Sequence, residues 1–321
     1  MALKVGELYA SFGIDASELD KALSGIEQKC SNLASSMTKT GAVMSAAITA
    51  PLVKVGKEIY EAGTSFYSQM SRVEAISGAN ATQMEALTAK AIEMGSTTSF
   101  TATEAGKALE YMAMAGWKSD EMLAGLAPIM DLAAASGEEL AATSDIVTDA
   151  LTAFGLTAND AAMFSDVLAA AATNPNTNVG MMGETFKYLA PVAGALGYTI
   201  QDTAVAIGLM ANSGIKGSQA GTALRNVLTN MAKPTDSVQA AMDKLGVSLT
   251  DASGSVIPLN QVLTTLRGSF SQLSEAEKTQ YATMLAGKYG MSGLLAIVNA
   301  TDEEFQSLTD SINDAEGATS R

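Results

Sequence analysis

The hydrophobic pattern of the N-terminal region predicts a long amphipathic helix. Residues 1–12 alternate weakly between apolar and polar, compatible with a short strand or arm, and a helical pattern begins at Asp15 or Ser17. Because its apolar positions extend over only three heptads, two interpretations stay open: a coiled-coil seam that joins copies of the chain, and a helix that lies on its own chain. The seam positions are Leu19, Leu23, Ile26, Cys30, Leu33 and Met37.

From residue 63 onward the pattern predicts one helix after another. Pro191 falls inside one of them and is expected to split or kink it. Capping boxes, in which a Ser/Thr and a Glu three residues later satisfy each other's backbone N–H groups, are predicted at Thr101/Glu104, Ser274/Glu277 and Thr301/Glu304. The predicted helices include Thr82–Met94, Thr101–Ala115, Asp120–Ala135, Glu138–Phe154, Ala158–Thr173, Val179–Leu196, Ile200–Ser213, Ser218–Ala232, Thr235–Leu245 and Asn260–Leu273.

A short cassette of glycine, an apolar residue and a polar cap recurs between these helices. Glycine is expected there in the left-handed conformation that ends a helix, with the apolar residue packing back on it. The cassettes are Gly116-Trp117, Gly155-Leu156 and Gly197-Tyr198, and Gly246-Val247 is a fourth that leads elsewhere. Their spacing near 40 residues is typical of repeated helical hairpins. Ordinary helix stops in a bundle would give the same pattern, so both interpretations stay open.

The segment Val247–Pro258 interrupts the helical pattern. Two short alternating runs flank Asp251-Ala252-Ser253-Gly254, which predicts a small β-hairpin. The predicted fold class is therefore all-α, with loosely repeated helical hairpins, an N-terminal coiled-coil-like helix and one small β-hairpin. The predicted domains are an N-terminal arm and amphipathic helix at 1–62, a helical core at 63–246, the hairpin insert at 247–258, and C-terminal helices at 259–321 that lead to a rod beyond the chain.

Composition and charge narrow the classes of function. The chain has 321 residues, 47% hydrophobic but only 5% aromatic, so Ala, Met and Leu must fill closely packed helices. A net charge of −15 repels phosphates, and no direct nucleic-acid binding is expected. The single cysteine, Cys30, is interpreted as a buried thiol. The uncharged run Thr40–Val53 is shorter than a bilayer span and is interrupted by Pro51, so a buried or inter-subunit helix is favoured over membrane insertion.

The sequence offers little that could carry out catalysis. It contains no histidine, and its adjacent acidic pairs fall in predicted first turns, where carboxylates stabilise the helix dipole. The run from Gly214 to Thr222 fails as a phosphate loop because Lys216 precedes the second glycine. Gly217 and Gly221 are instead expected to let two helices cross closely. We predict a protein that is not an enzyme, with no catalytic, cofactor or metal site.

Six ordered motifs carry a resemblance to a known family. Over residues 65 to 245, more than half the chain, the sequence resembles the core region of tail tape measure proteins from long-tailed bacteriophages and related prophages. No single motif is specific, but the ordered set is. The motifs are RVEAISG at 72–78, FTATEA at 100–105, YMAMAGW at 111–117, GETFKY at 183–188, AIGLMAN at 206–212 and GIKGSQAGT at 214–222.

This resemblance implies a structural role in the virion. Tape measure proteins lie as helical rods inside the tail tube, set its length during assembly in the host cytoplasm, and leave ahead of the DNA at infection. The implied partners are further copies of the chain, the tail tube protein, tail assembly chaperones and tail tip proteins. Family members are usually much longer than this chain, and their core carries no catalytic residues to transfer. The alternative is a membrane-active delivery protein, whose partner would be the host membrane.

Overall fold

The computed structural model of the chain describes residues 61–173 and 177–320. The chain divides into two compact units, residues 1–68 and 69–321. Of the first unit only residues 61–68 are described, and they are helical. The helix containing them, α1, covers 61–77 in its described part, and Gly78 follows it. All further description concerns the second unit.

The second unit is all-α over its described residues. Its remaining helices are α2 (Ala81–Thr97), α3 (Ala102–Met114), α4 (Ser119–Ser136), α5 (Leu140–Phe154), α6 (Ala161–Ala172), α7 (Val179–Ala195), α8 (Ile200–Asn212), α9 (Gly217–Ala232), α10 (Asp236–Leu245), α11 (Leu259–Phe270), α12 (Glu275–Val298) and α13 (Asp302–Asn313). Two short 3₁₀ turns, Ala158–Asp160 and Ala318–Ser320, accompany them.

The predicted capping boxes are confirmed at all three places. At the start of α3, the Thr101 N–H donates to Glu104 Oε2 over 2.7 Å, and the Glu104 N–H donates to Thr101 Oγ1 over 3.2 Å. The same reciprocal pairs begin α12 and α13. The hydrogen bonds from Thr101 hold the pKa of Glu104 below its usual range, so the carboxylate stays charged beside the positive end of the helix dipole.

Ten of the described helices of the second unit lie in two rows that enclose the core, and α10 and α11 pack against α12 outside these rows. In the first row α2, α3, α5, α7, α9 and α12 each pack against the next. In the second row α4 packs on α6, α6 on α8, and α8 on α13. The chain therefore crosses from one row to the other with each hairpin, α3/α4, α5/α6 and α7/α8. The largest fully buried side chains are Met70, Leu87, Leu109, Met112, Met122, Leu126, Ile129, Met130, Leu132, Phe164, Phe186 and Phe270.

Helix α9 lies between two first-row neighbours and approaches both closely. A Cβ added at Gly221 would lie 2.5 Å from the Thr185 carbonyl oxygen of α7. On the α12 side, a Cβ at Gly293 would lie 2.6 Å from the Ala223 Cβ. Thr185 also donates its hydroxyl to the Gly217 carbonyl over 3.0 Å. The expected close crossing is thus confirmed at Gly221.

Helix α12 bends at Gly287, which the sequence pattern did not indicate. Its φ of 67° and ψ of 178° interrupt the helix and free carbonyl groups in the preceding turn. The side-chain amide of Asn230 in α9 donates to one of them, Leu285 O, over 3.0 Å. The bend therefore receives a hydrogen bond from the helix on which α12 packs.

Two expectations about local structure are wrong, the first of them in part. Helix α7 is not split at Pro191 but continues from Val179 to Ala195, as α4 continues through Pro128, while the alternative of a kink at Pro191 stays a prediction. A proline removes one N–H from the helix ladder, but neither of these prolines is buried, so water can reach the freed carbonyl groups.

The second wrong expectation is the β-hairpin at Val247–Pro258. Among the described residues this segment forms no strand, only an isolated antiparallel bridge between Thr250 and Val256. The reason lies in the turn, where the Asp251 carboxylate accepts the N–H groups of Ser253 and Ser255 at 2.8 and 2.9 Å. That side-chain turn leaves too few residues for a ladder before Pro258 begins the approach to α11.

We expect Gly221→Ala to destabilise the protein by about 1–3 kcal/mol, because the new methyl group must push α7 away from α9. The matched control is Gly268→Ala in α11, where nothing lies within 4 Å of the added carbon. That variant should gain about 0.5–1 kcal/mol from reduced backbone entropy. Urea unfolding followed by circular dichroism measures both, and equal effects of the two substitutions would contradict the close crossing.

Candidate functional site

The first predicted junction, Gly116-Trp117, is a helix stop with two backbone hydrogen bonds. Gly116 has a φ of 85°, which is costly for any residue with a Cβ. Its N–H donates to the Ala113 carbonyl and the Trp117 N–H donates to the Met112 carbonyl, each over 3.0 Å. This is a Schellman motif, which satisfies the last carbonyl groups of α3.

The same motif ends the first-row helices α5 and α7. Gly155 and Gly197 have φ values of 69° and 78°. The residues that follow them, Leu156 and Tyr198, donate their N–H groups back five residues over 2.8 and 3.0 Å. Each of the three junctions joins a first-row helix to the next second-row helix.

Two further helix ends share this geometry. Val247, after Gly246, donates its N–H to the Met242 carbonyl over 3.0 Å, and Ile215, after Gly214, donates to Met210 over the same distance. The sequence analysis predicted the stop at Gly246 but not the stop at Gly214. The same pattern of a glycine followed by an apolar residue is present there as Gly214-Ile215.

The apolar residue of each junction differs in its surroundings. Trp117 is buried, and a Cβ at Gly125 of α4 would lie 2.3 Å from its ring, so Gly125 makes the room that Trp117 occupies. Leu156 is only half-buried. Tyr198 is 5% exposed, and its hydroxyl has no hydrogen-bond partner among the described residues. The junction residues are therefore structural stops, at which Trp117, Tyr198 and Val247 are buried and Leu156 is not.

The buried Tyr198 and the partly exposed Asp202 lie close enough at the start of α8 to influence each other electrostatically. Burial, together with the charge of Asp202, raises the pKa of the Tyr198 hydroxyl to about 12. Burial also raises the pKa of Asp202, although the N–H of Leu259, 3.1 Å from its Oδ2, partly offsets this. The hydrogen bond from the Leu259 N–H to Asp202 fastens the start of α11 to α8, whereas the Tyr198 hydroxyl contributes no bond.

A second acidic group fastens the C-terminal turn to the body of the unit. Asp166 in α6 accepts hydrogen bonds from the Gly317 N–H at 2.8 Å, and from the N–H and hydroxyl of Thr319 at 3.0 and 2.7 Å. Burial and the charge of Asp166 raise the pKa of Asp131 in the neighbouring α4. We call this contact between Asp166 and residues 317–319 the C-terminal clasp. No local pattern in the sequence indicated it.

An open groove runs along the contact between the first-row helices α5 and α7. It has a volume of about 340 Å³ and is lined by small and apolar residues, with Asp149 and Lys187 among them. Lys187 pairs with Asp145 at 3.3 Å, and both side chains are largely exposed, so the pair contributes little to stability. Burial, and then the charge of Asp145, raises the pKa of Asp149. The groove holds charged groups but no arrangement for catalysis.

Several predicted features lie outside the described residues. They are the seam from Leu19 to Met37, Cys30 within it, and the uncharged run Thr40–Val53. The helices of the described part are too short or too polar for any of them to span a membrane. Within residues 61–173 and 177–320, His, Cys, Asp and Glu form no group suited to a metal ion.

Comparisons with known proteins agree on one family. A family model described as phage-related minor tail protein matches residues 88–287. A tape measure protein of Pneumococcus phage Dp-1 is 36% identical over 323 residues, which cover 98% of this chain and 28% of that relative. A probable tape measure protein of Escherichia phage P2 is 27% identical over 292 residues, covering 89% of this chain and 36% of the relative. The chain thus spans about a third of the length of these curated relatives. No solved structure matches it.

We expect Tyr198→Phe to leave stability unchanged or raise it by up to about 1 kcal/mol, because the hydroxyl is buried without a hydrogen bond. Thermal unfolding measures the effect. Tyr289→Phe is the control, since that ring is 86% exposed and its hydroxyl is open to water. A clear loss of stability in Tyr198→Phe alone would show that the hydroxyl has a bonding partner.

We expect Asp131→Asn to stabilise the protein at pH 7. Because the pKa of Asp131 is raised in the folded state, its ionisation lowers stability as the pH rises through that pKa, and asparagine avoids this loss. The gain should shrink as the pH falls towards 3.8, the ordinary value. Urea midpoints at pH 7 and pH 5 test this against the exposed control Asp314→Asn, and a gain that grew with acidity would contradict it.

Proposed function

The chain belongs to the family of phage-related minor tail proteins, and from that membership we propose that it forms the helical core of a tape measure protein. In this role it is a structural part of the phage tail, and the longer protein containing it sets tail length during assembly. The observation that carries the proposal is the 36% identity with a named tape measure protein over 98% of this chain.

The structure supports a scaffold role for this segment. Its polar groups are used to cap helices and to fasten them to one another, as in the junctions and the C-terminal clasp. The net charge of −15 would also repel DNA that passes through the same tube. Both properties suit a protein that fills a tail lumen and leaves it ahead of the genome.

We further propose that the two rows arise from loosely repeated helical hairpins. The pairs α3/α4, α5/α6 and α7/α8 each cross from the first row to the second through a glycine stop. The stops lie 39 and 42 residues apart, from Gly116 to Gly155 and from Gly155 to Gly197. Such hairpins bury their apolar faces only against neighbouring hairpins, which favours a row over isolated units.

The proposed partners follow from the family role. The seam from Leu19 to Met37 would join copies of the chain as a coiled coil. Tail assembly chaperones would cover the protein in the host cytoplasm, the tail tube protein would polymerise around it, and tail tip proteins would hold one end. Its place in the virion would be the lumen of the tail.

Different parts of the protein would add different lengths to a rod in the tail. A single helix of 321 residues would extend about 480 Å at ~1.5 Å per residue. The described unit returns on itself in two rows, so it cannot contribute in proportion to its residues. We propose that it stays folded in the tail, whereas the seam helix contributes to the measured length.

Tail length in the parent phage tests this division. Duplicating Leu19–Ala46 adds 28 residues, from 46 − 19 + 1, and should lengthen the tail by roughly 42 Å in electron micrographs. The matched control inserts the same 28 residues at the exposed turn Asp251–Gly254 of the folded unit, where no lengthening is expected.

Unchanged tails in the duplication would exclude the seam from the measured length. Equal lengthening in both variants would show that the described unit is extended in the tail. If insertions in the seam and in every other part of the protein left the tail length unchanged, the tape measure proposal itself would fail.

A further inference from the structure

An open pocket of about 410 Å³ lies between two of the glycine stops. Its walls come from the ends of α7 and α9, from α10, and from the segment after Gly246, and they combine apolar residues with the polar Gln239, Asp243, Ser248 and Thr250. A volume in this range is typical of binding pockets in proteins. The main apolar lining residues are Leu196, Tyr198, Met231, Met242, Val247 and Leu249.

The mouth of this pocket has a free backbone edge at Val256. Around the bridge between Thr250 and Val256, Asp251 N–H donates to Ser255 O and Ile257 N–H donates to Leu249 O, both over 2.9 Å. In an antiparallel pair with this pattern, the N–H and C=O of the two bridged residues point away from each other's chain. The backbone groups of Val256 therefore point outward, and none of the described residues bonds them.

The opposite side of the bridge is closed, which makes the Val256 edge distinct. The N–H of Thr250 donates to Ser248 Oγ over 3.2 Å, and its carbonyl accepts the Ser248 hydroxyl at 2.7 Å. Val256 has no such local partner, and its side chain is 47% exposed at the pocket. A backbone position with an unbonded N–H and C=O beside a partly apolar pocket is a template for another extended chain.

We propose that this site binds an extended segment of a partner polypeptide, which pairs with the backbone of Val256 and inserts one apolar side chain into the pocket. Strand addition of this kind takes its affinity from main-chain hydrogen bonds and its specificity from a side-chain pocket. A helix would not fit the edge, because its own backbone groups are already bonded. A small apolar molecule would fill the walls but leave the Val256 groups without partners.

The charge near the pocket determines which residues can flank the apolar centre of the partner segment. The pocket lining carries one carboxylate, Asp243, which accepts the Gln239 amide at 2.8 Å, and contains no Lys or Arg. Asp251 lies in the adjacent turn, and hydrogen bonds led by the Ser253 hydroxyl hold its pKa below the usual range. The segment that fits is therefore apolar at its centre and neutral or basic beside it.

Methionine methyl NMR of the full chain tests the proposal with a defined probe, the peptide acetyl-Lys-Val-Leu-Val-Lys-amide. Titration should shift the ¹³C-methyl signals of Met231 and Met242, with a dissociation constant of about 1 mM or tighter. The methyl group of Met114, on α3 and 63% exposed, should not shift and reports non-specific binding. Absence of shifts at Met231 and Met242 would overturn the proposal.

Matched peptides and variants separate backbone pairing from simple apolar contact. N-methylation of the central leucine, or its replacement by aspartate, should weaken binding about tenfold or more. In the protein, Val256→Pro removes the edge N–H and should have the same effect, whereas Val256→Thr should keep binding. Circular dichroism confirms that both variants fold. Equal binding by the N-methylated peptide would overturn the pairing, and none of these results bears on tail length.

Discussion

The close packing of α9 between α7 and α12 is the contact on which the rest of the described unit depends. Glycine and alanine let the three helices approach until backbone meets backbone, as at Gly221 with the Thr185 carbonyl. At such distances any added methyl group must displace a whole helix, so the first row has little freedom in its spacing. The low aromatic content of the chain is consistent with this packing, since small side chains fill the contacts.

The glycine stops convert this row into a two-row unit. Left-handed glycines at Gly116, Gly155 and Gly197 each end a first-row helix and send the chain into the second row, where the next helix covers the core. Side chains then fasten elements that are distant in sequence. Asn230 bonds the bent part of α12, Asp202 the start of α11, and Asp166 the C-terminal turn. Polar groups in this unit therefore serve connection, which agrees with a scaffold role in a tail.

Local signals were readable from the sequence, whereas contacts over long separations were not. Thr101 with Glu104 predicts a helix start because both partners lie within one turn, and Gly116 predicts a stop for the same reason. The Asp166 clasp joins residues more than 150 positions apart, and no spacing rule reports it. Pro191 does not split its helix, because the cost of a proline in a helix depends on whether water reaches the carbonyl groups that it leaves unbonded. The predicted hairpin does not form, because the Asp251 turn takes up the residues that a ladder would need. The pocket beside Val256 likewise needed the three-dimensional structure, since it is assembled from four separate elements.

The central claim, that the described unit stays folded inside the tail, can be tested with native residues. Carbodiimide joins a lysine and a carboxylate only where they are in direct contact, as Lys187 and Asp145 are at 3.3 Å. These residues are 42 positions apart and would be separated by ~63 Å in a continuous helix. Lys278 and Glu275, three residues apart in α12, should be joined in either state and serve as the internal control. Mass spectrometry of cross-linked, assembled tails should find both links. Recovery of the control link without the Lys187–Asp145 link would show that the unit opens in the virion.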